Sequence, residues 1–146
     1  MPKFAQGRFE MKNPGKYVGT KKPLARSSWE FVFMRMLDEH PGVANWASES
    51  IKIPYKDPLT GKYSIYVPDF FIVYNDRAGK QRAEVVEVKP ANQTLRERVG
   101  KSRYNQEQYI KNQAKWEAAA AWCKQKRVRF RIVSEDDIFH KGNKRR

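Results

Sequence analysis

The stretch Ala83-Glu84-Val85-Val86-Glu87-Val88-Lys89-Pro90 reads as a β-strand that Pro90 stops. Alternate residues of a strand share a face, so Val86 and Val88 point one way while Glu87 and Lys89 point the other. Two charges inside an otherwise apolar strand are expected in a partly desolvated place. A lone Glu-x-Lys is more often a solvated face, so the pattern needs company.

Asp69 supplies it. It follows Pro68 at a kink between two apolar runs, Ser64–Val67 and Phe70–Tyr74. Aspartate is disfavoured inside strands; the plain alternative is a turn residue bonded to its own backbone. If the Asp69 strand pairs with the Glu87 strand as a hairpin, both carboxylates converge on one divalent cation. Glu30 is a third candidate. On the first helix it shares a stripe with Phe33, Met34 and Leu37, and it also completes a capping box with Ser27. Such a set suits phosphodiester hydrolysis. Carboxylate-held metal supplies charge and lowers the pKa of water, and Lys89 places that water or neutralises the transition state.

The rest of the chain fits a small α/β domain. Ser27-Ser28-Trp29-Glu30 opens a helix running to about Glu39, and Pro41-Gly42 breaks it. Glu49 to Tyr55 alternate as a strand, Asp57–Gly61 form a turn, and Lys62 to Val67 return as the second arm of a hairpin. Phe70–Tyr74, a turn over 75–80 and the Glu87 strand follow. Tyr104 to about Lys126 is a long helix, and Val128–Val133 close the fold as a last strand. This order predicts a central mixed β-sheet flanked by helices. Trp116, Trp122 and Tyr109, at helical spacing, read as core. Gln106, Gln113 and Lys115 on the same helix are candidates to face the site or DNA.

Charge points to a polyanionic partner. The 146 residues carry 30 Lys and Arg against 16 Asp and Glu, a formal net charge of +14, and the basic residues run through the whole chain rather than along one amphipathic segment. The predicted organisation is a basic N-terminal arm at residues 1–26, a domain at 27–139 and a basic tail at 140–146. Lys16, Lys21, Lys22, Arg26 and Arg103 are candidate DNA contacts. The single cysteine, Cys123, rules out an intrachain disulfide or a thiolate cage, and with only His40 and His140 a zinc site is not expected. Oxygen ligands then point to Mg2+ or Mn2+. No apolar run nears the roughly 18 residues of a membrane span, and no secretory h-region is present, so a soluble protein with no membrane partner is expected.

Pro68-Asp69 followed by Glu87-Val88-Lys89 resembles the PD-(D/E)xK signature of the restriction-endonuclease-like superfamily, with Glu30 where many members carry a helix acid. More narrowly, the chain is similar to the small head-completion nucleases of T4-like tailed phages. The likeness is carried also by Ser28-Trp29-Glu30-Phe31, Trp46-Ala47-Ser48-Glu49, Ile53-Pro54-Tyr55, and Lys115-Trp116 leading to 128–135, and spans about residues 14–138. It implies a metal-dependent endonuclease with ligands on Asp69 and Glu87, a backbone carbonyl from Val88, Lys89 as catalytic lysine and Glu30 as an additional acid. Glu49 falls in a matching segment and is a further candidate, with a plain strand-edge charge as the alternative. The resemblance also implies a role in phage head completion or packaging before tail attachment, on double-stranded or branched DNA. Portal, neck or other head proteins would be partners, in the host cytoplasm or the virion. Two alternatives stand beside it: a structural DNA-binding neck protein with little cleavage, and a junction-resolving or transposon-end nuclease. The wider superfamily contains both of the latter, so substrate does not follow from fold.

Overall fold

A computed structural model describes residues 7–90, 100–134 and 137. The first six residues of the expected arm, the expected tail at 140–146 and the last residues of the expected domain lie outside the described residues. In chain order the elements are β1 (Gly7–Arg8), β2 (Leu24–Ala25), α1 (Ser28–Glu39), β3 (Val43–Ser48), β4 (Ile53–Lys56), β5 (Tyr63–Tyr66), β6 (Phe70–Asn75), β7 (Gln81–Val88), α2 (Arg103–Lys126) and β8 (Arg129–Val133).

Local chemistry explains where α1 starts. The Ser27 hydroxyl accepts from the Glu30 amide at 3.1 Å, which is one half of a capping box. The Glu30 carboxylate reaches one residue further back than that motif requires, to the Arg26 amide at 3.2 Å. Phe33, Met34 and Leu37 are buried on one stripe, as their spacing predicts.

The main sheet has four strands in the order β3-β6-β7-β8. β3, β6 and β7 run antiparallel to one another, and β8 lies parallel to β7, so the sheet is mixed as expected. A tight turn cannot deliver a parallel neighbour. The chain instead crosses from β7 to β8 through α2, which covers one face. Trp116 and Ala119 of α2 pack there with Ile53, Tyr55 and Tyr66 of the β4–β5 hairpin, and Phe130 and Ile132 of β8 lie against them. The other face carries Trp46, Phe70, Ile72, Val86, Val88 and Val133 against Phe33, Met34 and Leu37 of α1.

The structure departs from the sequence reading in two places. Residues 7–26, expected as an arm, are built into the fold. β1 pairs with β2, Phe9 and Ala25 are buried, and the Val18 amide donates to the Trp46 carbonyl at 2.9 Å. Phe9 and Tyr17 meet the Trp46 ring edge-on, with centroids 6.0 and 4.8 Å away. Little periodicity marks this segment because its bonds go to distant elements. Asp38, buried in α1, accepts from the amides of Lys12 at 2.9 Å and Asn13 at 3.1 Å. The second departure is β3. Its register slips between Val43 and Asn45, and a bulge of this kind destroys the strict alternation by which strands are recognised. The strand expected at 49–55 begins only at Ile53, because Glu49 has a positive φ of 50° and cannot sit in an extended strand.

Asp38→Ala leaves two amides without their acceptor. It is expected to cost roughly 1–3 kcal/mol, read as a lower urea midpoint; an unchanged midpoint would mean that residues 7–26 add nothing to the fold.

Candidate active site

Pro68 lacks an amide proton and so separates the β4–β5 hairpin from the main sheet. The next residue begins the site. Phe70 lies opposite Val86 in the β6–β7 register, so Asp69 falls opposite Glu87 and the two share a face. The Asp69 Oδ2 accepts from the Val88 amide at 2.8 Å, and the Asp69 amide points at Glu87 Oε1 at 3.3 Å. The Lys89 ammonium lies 3.8 Å from Glu87 Oε2. The hairpin pairing that the sequence posed as a condition is therefore met, and Asp69, Glu87 and Lys89 come together.

The surroundings of these acids are unfavourable to charge. Burial pushes the Asp69 carboxyl well above the usual range, and the neighbouring charges of Glu87 and then Glu30 push it further. Burial also raises Glu87, against which Lys89 acts first and Tyr66 next. Glu30 is raised by burial too, and it feels the charges of Glu49, Arg26 and Lys89, so the start of α1 belongs to the same electrostatic neighbourhood. Two desolvated carboxylates that repel one another are a donor set suited to a hard divalent cation. Among the described residues no group of three or more Asp, Glu, His or Cys side chains converges as a metal cage.

Glu49 sits differently from its expected place at a strand start. It follows β3, its amide donates to the Asp69 carbonyl at 2.9 Å, and its carboxylate is held by Arg26 at 2.7 Å and Lys21 at 2.9 Å. The Arg26 hydrogen bond, the largest influence, pulls its pKa down to about 2. Arg26 and Lys21 thus border the site, each tied to an acid.

The other candidates scatter. The Lys16 ammonium donates to the carbonyls of Asp38 at 2.9 Å and His40 at 2.8 Å, so it caps the C-terminal end of α1 with two of its three donors. Lys22 is exposed. Arg103 pairs with Glu107 at 3.0 Å at the start of α2. Gln106 donates to the Gly100 carbonyl at 3.4 Å, and Gln113 is exposed along the groove between α2 and β8, beside Glu117 and Phe130. Lys115 does reach the site: its ammonium lies over the rings of Tyr55 and Tyr66, 5.9 and 5.7 Å from their centroids, and it feels the charges of Lys89 and Glu87. Sequence reasoning missed Tyr66. The signal was its position, a tyrosine two residues before Pro68 at the end of β5.

Architecture and chemistry meet in one class, the endonucleases of the restriction-enzyme-like fold, built here as a single domain. The chain belongs to the TnsA-like endonuclease N-terminal family, whose sequence model matches residues 40–135. It is also 32% identical to the head completion nuclease of Enterobacteria phage T4 over 149 aligned residues, which span 94% of this chain and 96% of that protein.

The raised pKa of Asp69 has a consequence for stability. A carboxyl whose folded pKa exceeds its unfolded value, about 3.9, costs stability once the pH rises above that value, and costs nothing below it. Asp69→Asn keeps an oxygen for the Val88 amide and removes the charge. In chelator it is expected to raise the urea midpoint near pH 7, with the gain disappearing below about pH 4. A midpoint lowered at both pH values would show that the Asp69 charge stabilises the fold.

Proposed function

We propose that this chain is a divalent-metal-dependent endodeoxyribonuclease that hydrolyses phosphodiester bonds in double-stranded or branched DNA. The observation that carries the reading is the pairing of Asp69 with Glu87 across β6 and β7, with the Lys89 ammonium 3.8 Å from Glu87. Asp69, Glu87 and the Val88 carbonyl would hold Mg2+ or Mn2+. Such an ion, when bound, shields phosphate charge and acidifies water.

The chain's own groups supply the rest. The Val88 amide fixes the orientation of Asp69, and burial excludes bulk water from both acids, which strengthens every charge interaction there. Lys89 offsets negative charge on the phosphate as it builds in the transition state. Glu30 adds a further carboxyl at the start of α1, where it can orient water. The charge of +14 supports a nucleic-acid substrate. Lys22 and Arg103 are exposed phosphate contacts on this reading, with Lys21 and Arg26 nearer the cut. The similarity to a phage head completion nuclease supports a role in head completion, alongside head or neck proteins, in the host cytoplasm and the virion.

The test is plasmid nicking by wild type, Asp69→Ala, Glu87→Ala and Lys89→Ala with Mg2+, Mn2+ or chelator. Wild type is expected to nick only with metal, and each variant to lose about two or more orders of magnitude in rate while still binding DNA. Tight binding without cleavage of plasmid, linear or branched DNA would leave a DNA-binding structural protein instead. Binding itself, if it uses about six phosphates, is expected to weaken by about three decades between roughly 50 and 200 mM salt; a shallow salt dependence would count against DNA as the partner.

A further inference from the structure

Among the described residues three buried polar side-chain atoms make no hydrogen bond: Trp46 Nε1, Tyr66 Oη and Trp116 Nε1. Native folds rarely leave such groups unmatched, and each that remains calls for an explanation such as strain, a role in a site, or a bound water or ion. Trp46 lies on the α1 face of the sheet. The other two meet on the opposite face, beside Glu87. Tyr66 ends β5 and is 4% exposed, and Trp116 of α2 packs in the same cluster. The Tyr66 hydroxyl acts electrostatically on Glu87 on one side and on the Trp116 indole on the other, yet neither contact closes to hydrogen-bond geometry.

The donor inventory allows one direction for this chain. An indole N–H only donates, a phenol can accept one bond and donate another, and an ionised carboxylate only accepts. When these two contacts close, donation can run only from Trp116 to Tyr66 to Glu87. A phenol is protonated at neutral pH, its ordinary pKa being about 10, and so is able to donate. The Lys115 ammonium over the Tyr66 ring, 5.7 Å from its centroid, holds the ring by its face and leaves the hydroxyl free in the ring plane.

We infer that Tyr66 is a positioning residue for Glu87, its hydroxyl, backed by the Trp116 indole, orienting the carboxylate from the hairpin side to receive a divalent cation. This rests on the reading of Glu87 as a metal ligand. The β4–β5 hairpin, which contributes no acid to the site, thereby becomes its outer support. Loss of such a partner behind a ligand typically weakens metal binding about 10- to 100-fold.

The experiment titrates Mn2+ calorimetrically into the full chain without DNA, for wild type, Tyr66→Phe and Trp116→Phe, with thermal melts in chelator alongside. Tyr66→Phe is expected to bind Mn2+ about tenfold more weakly with its melting temperature held, and Trp116→Phe to shift affinity in the same direction. Equal affinity in wild type and Tyr66→Phe, whatever the melting temperature, overturns the inference and leaves Glu87 as a ligand untouched. Absence of Mn2+ binding by wild type overturns the metal reading itself, and Tyr66's role with it. If Tyr66→Phe does not fold, Trp116→Phe decides: weaker binding upholds the inference, and unchanged binding sinks it.

Discussion

Phe70 opposite Val86 is the pairing on which the molecule turns. Both side chains are buried on the α1 face, so the next residues outward, Asp69 and Glu87, must share the other face. A slip of one residue would turn every side chain of a strand over. It would drive a carboxylate into the cluster of Val86, Val88 and Phe33, where no partner waits for it. The apolar core and the site are therefore set by one register. The Val88 amide records that coupling directly: its own side chain packs in the core while its N–H holds Asp69.

Three supports converge on that strand pair. From the α1 side, the Ser27 cap and the Arg26 amide fix Glu30. From the N-terminal segment, Lys21 and Arg26 grip Glu49, whose amide in turn holds the Asp69 carbonyl. From the other face, the β4–β5 hairpin brings Tyr66, and α2 brings the Lys115 ammonium over its ring, into the electrostatic neighbourhood of Glu87. The acids at the centre are held where they are poorly solvated and repel each other. Burial of this kind works against the charged forms of both acids.

How far the fold could be read without coordinates depended on where each element finds its partners. α1, α2, β6, β7 and β8 were legible because their apolar spacing and their caps or breakers are local. Ser27 announces α1, and Pro90 follows the end of β7 within two residues. β3 was not, because its bulge between Val43 and Asn45 scrambles the alternation. Nor were residues 7–26, whose order comes from Asp38, Trp46 and β2 rather than from any pattern of their own. The tie of Lys16 to the end of α1 was hidden for the same cause: a lysine beside a Pro-Gly break looks free until the end of α1 is placed next to it.

By itself the sequence determined that Glu87 and Lys89 face one way from an apolar strand, that Asp69 stands at a proline-marked kink, and that the chain is strongly basic. Those are matters of strand period, backbone chemistry and charge, all carried within a few residues or by composition. The tertiary structure alone decided that Asp69 lies across from Glu87, that Lys21 and Arg26 are paired with Glu49, and that the Lys115 ammonium lies over the Tyr66 ring. Each of these joins groups far apart in the chain, and such contacts depend on strand order and register, which no local pattern encodes.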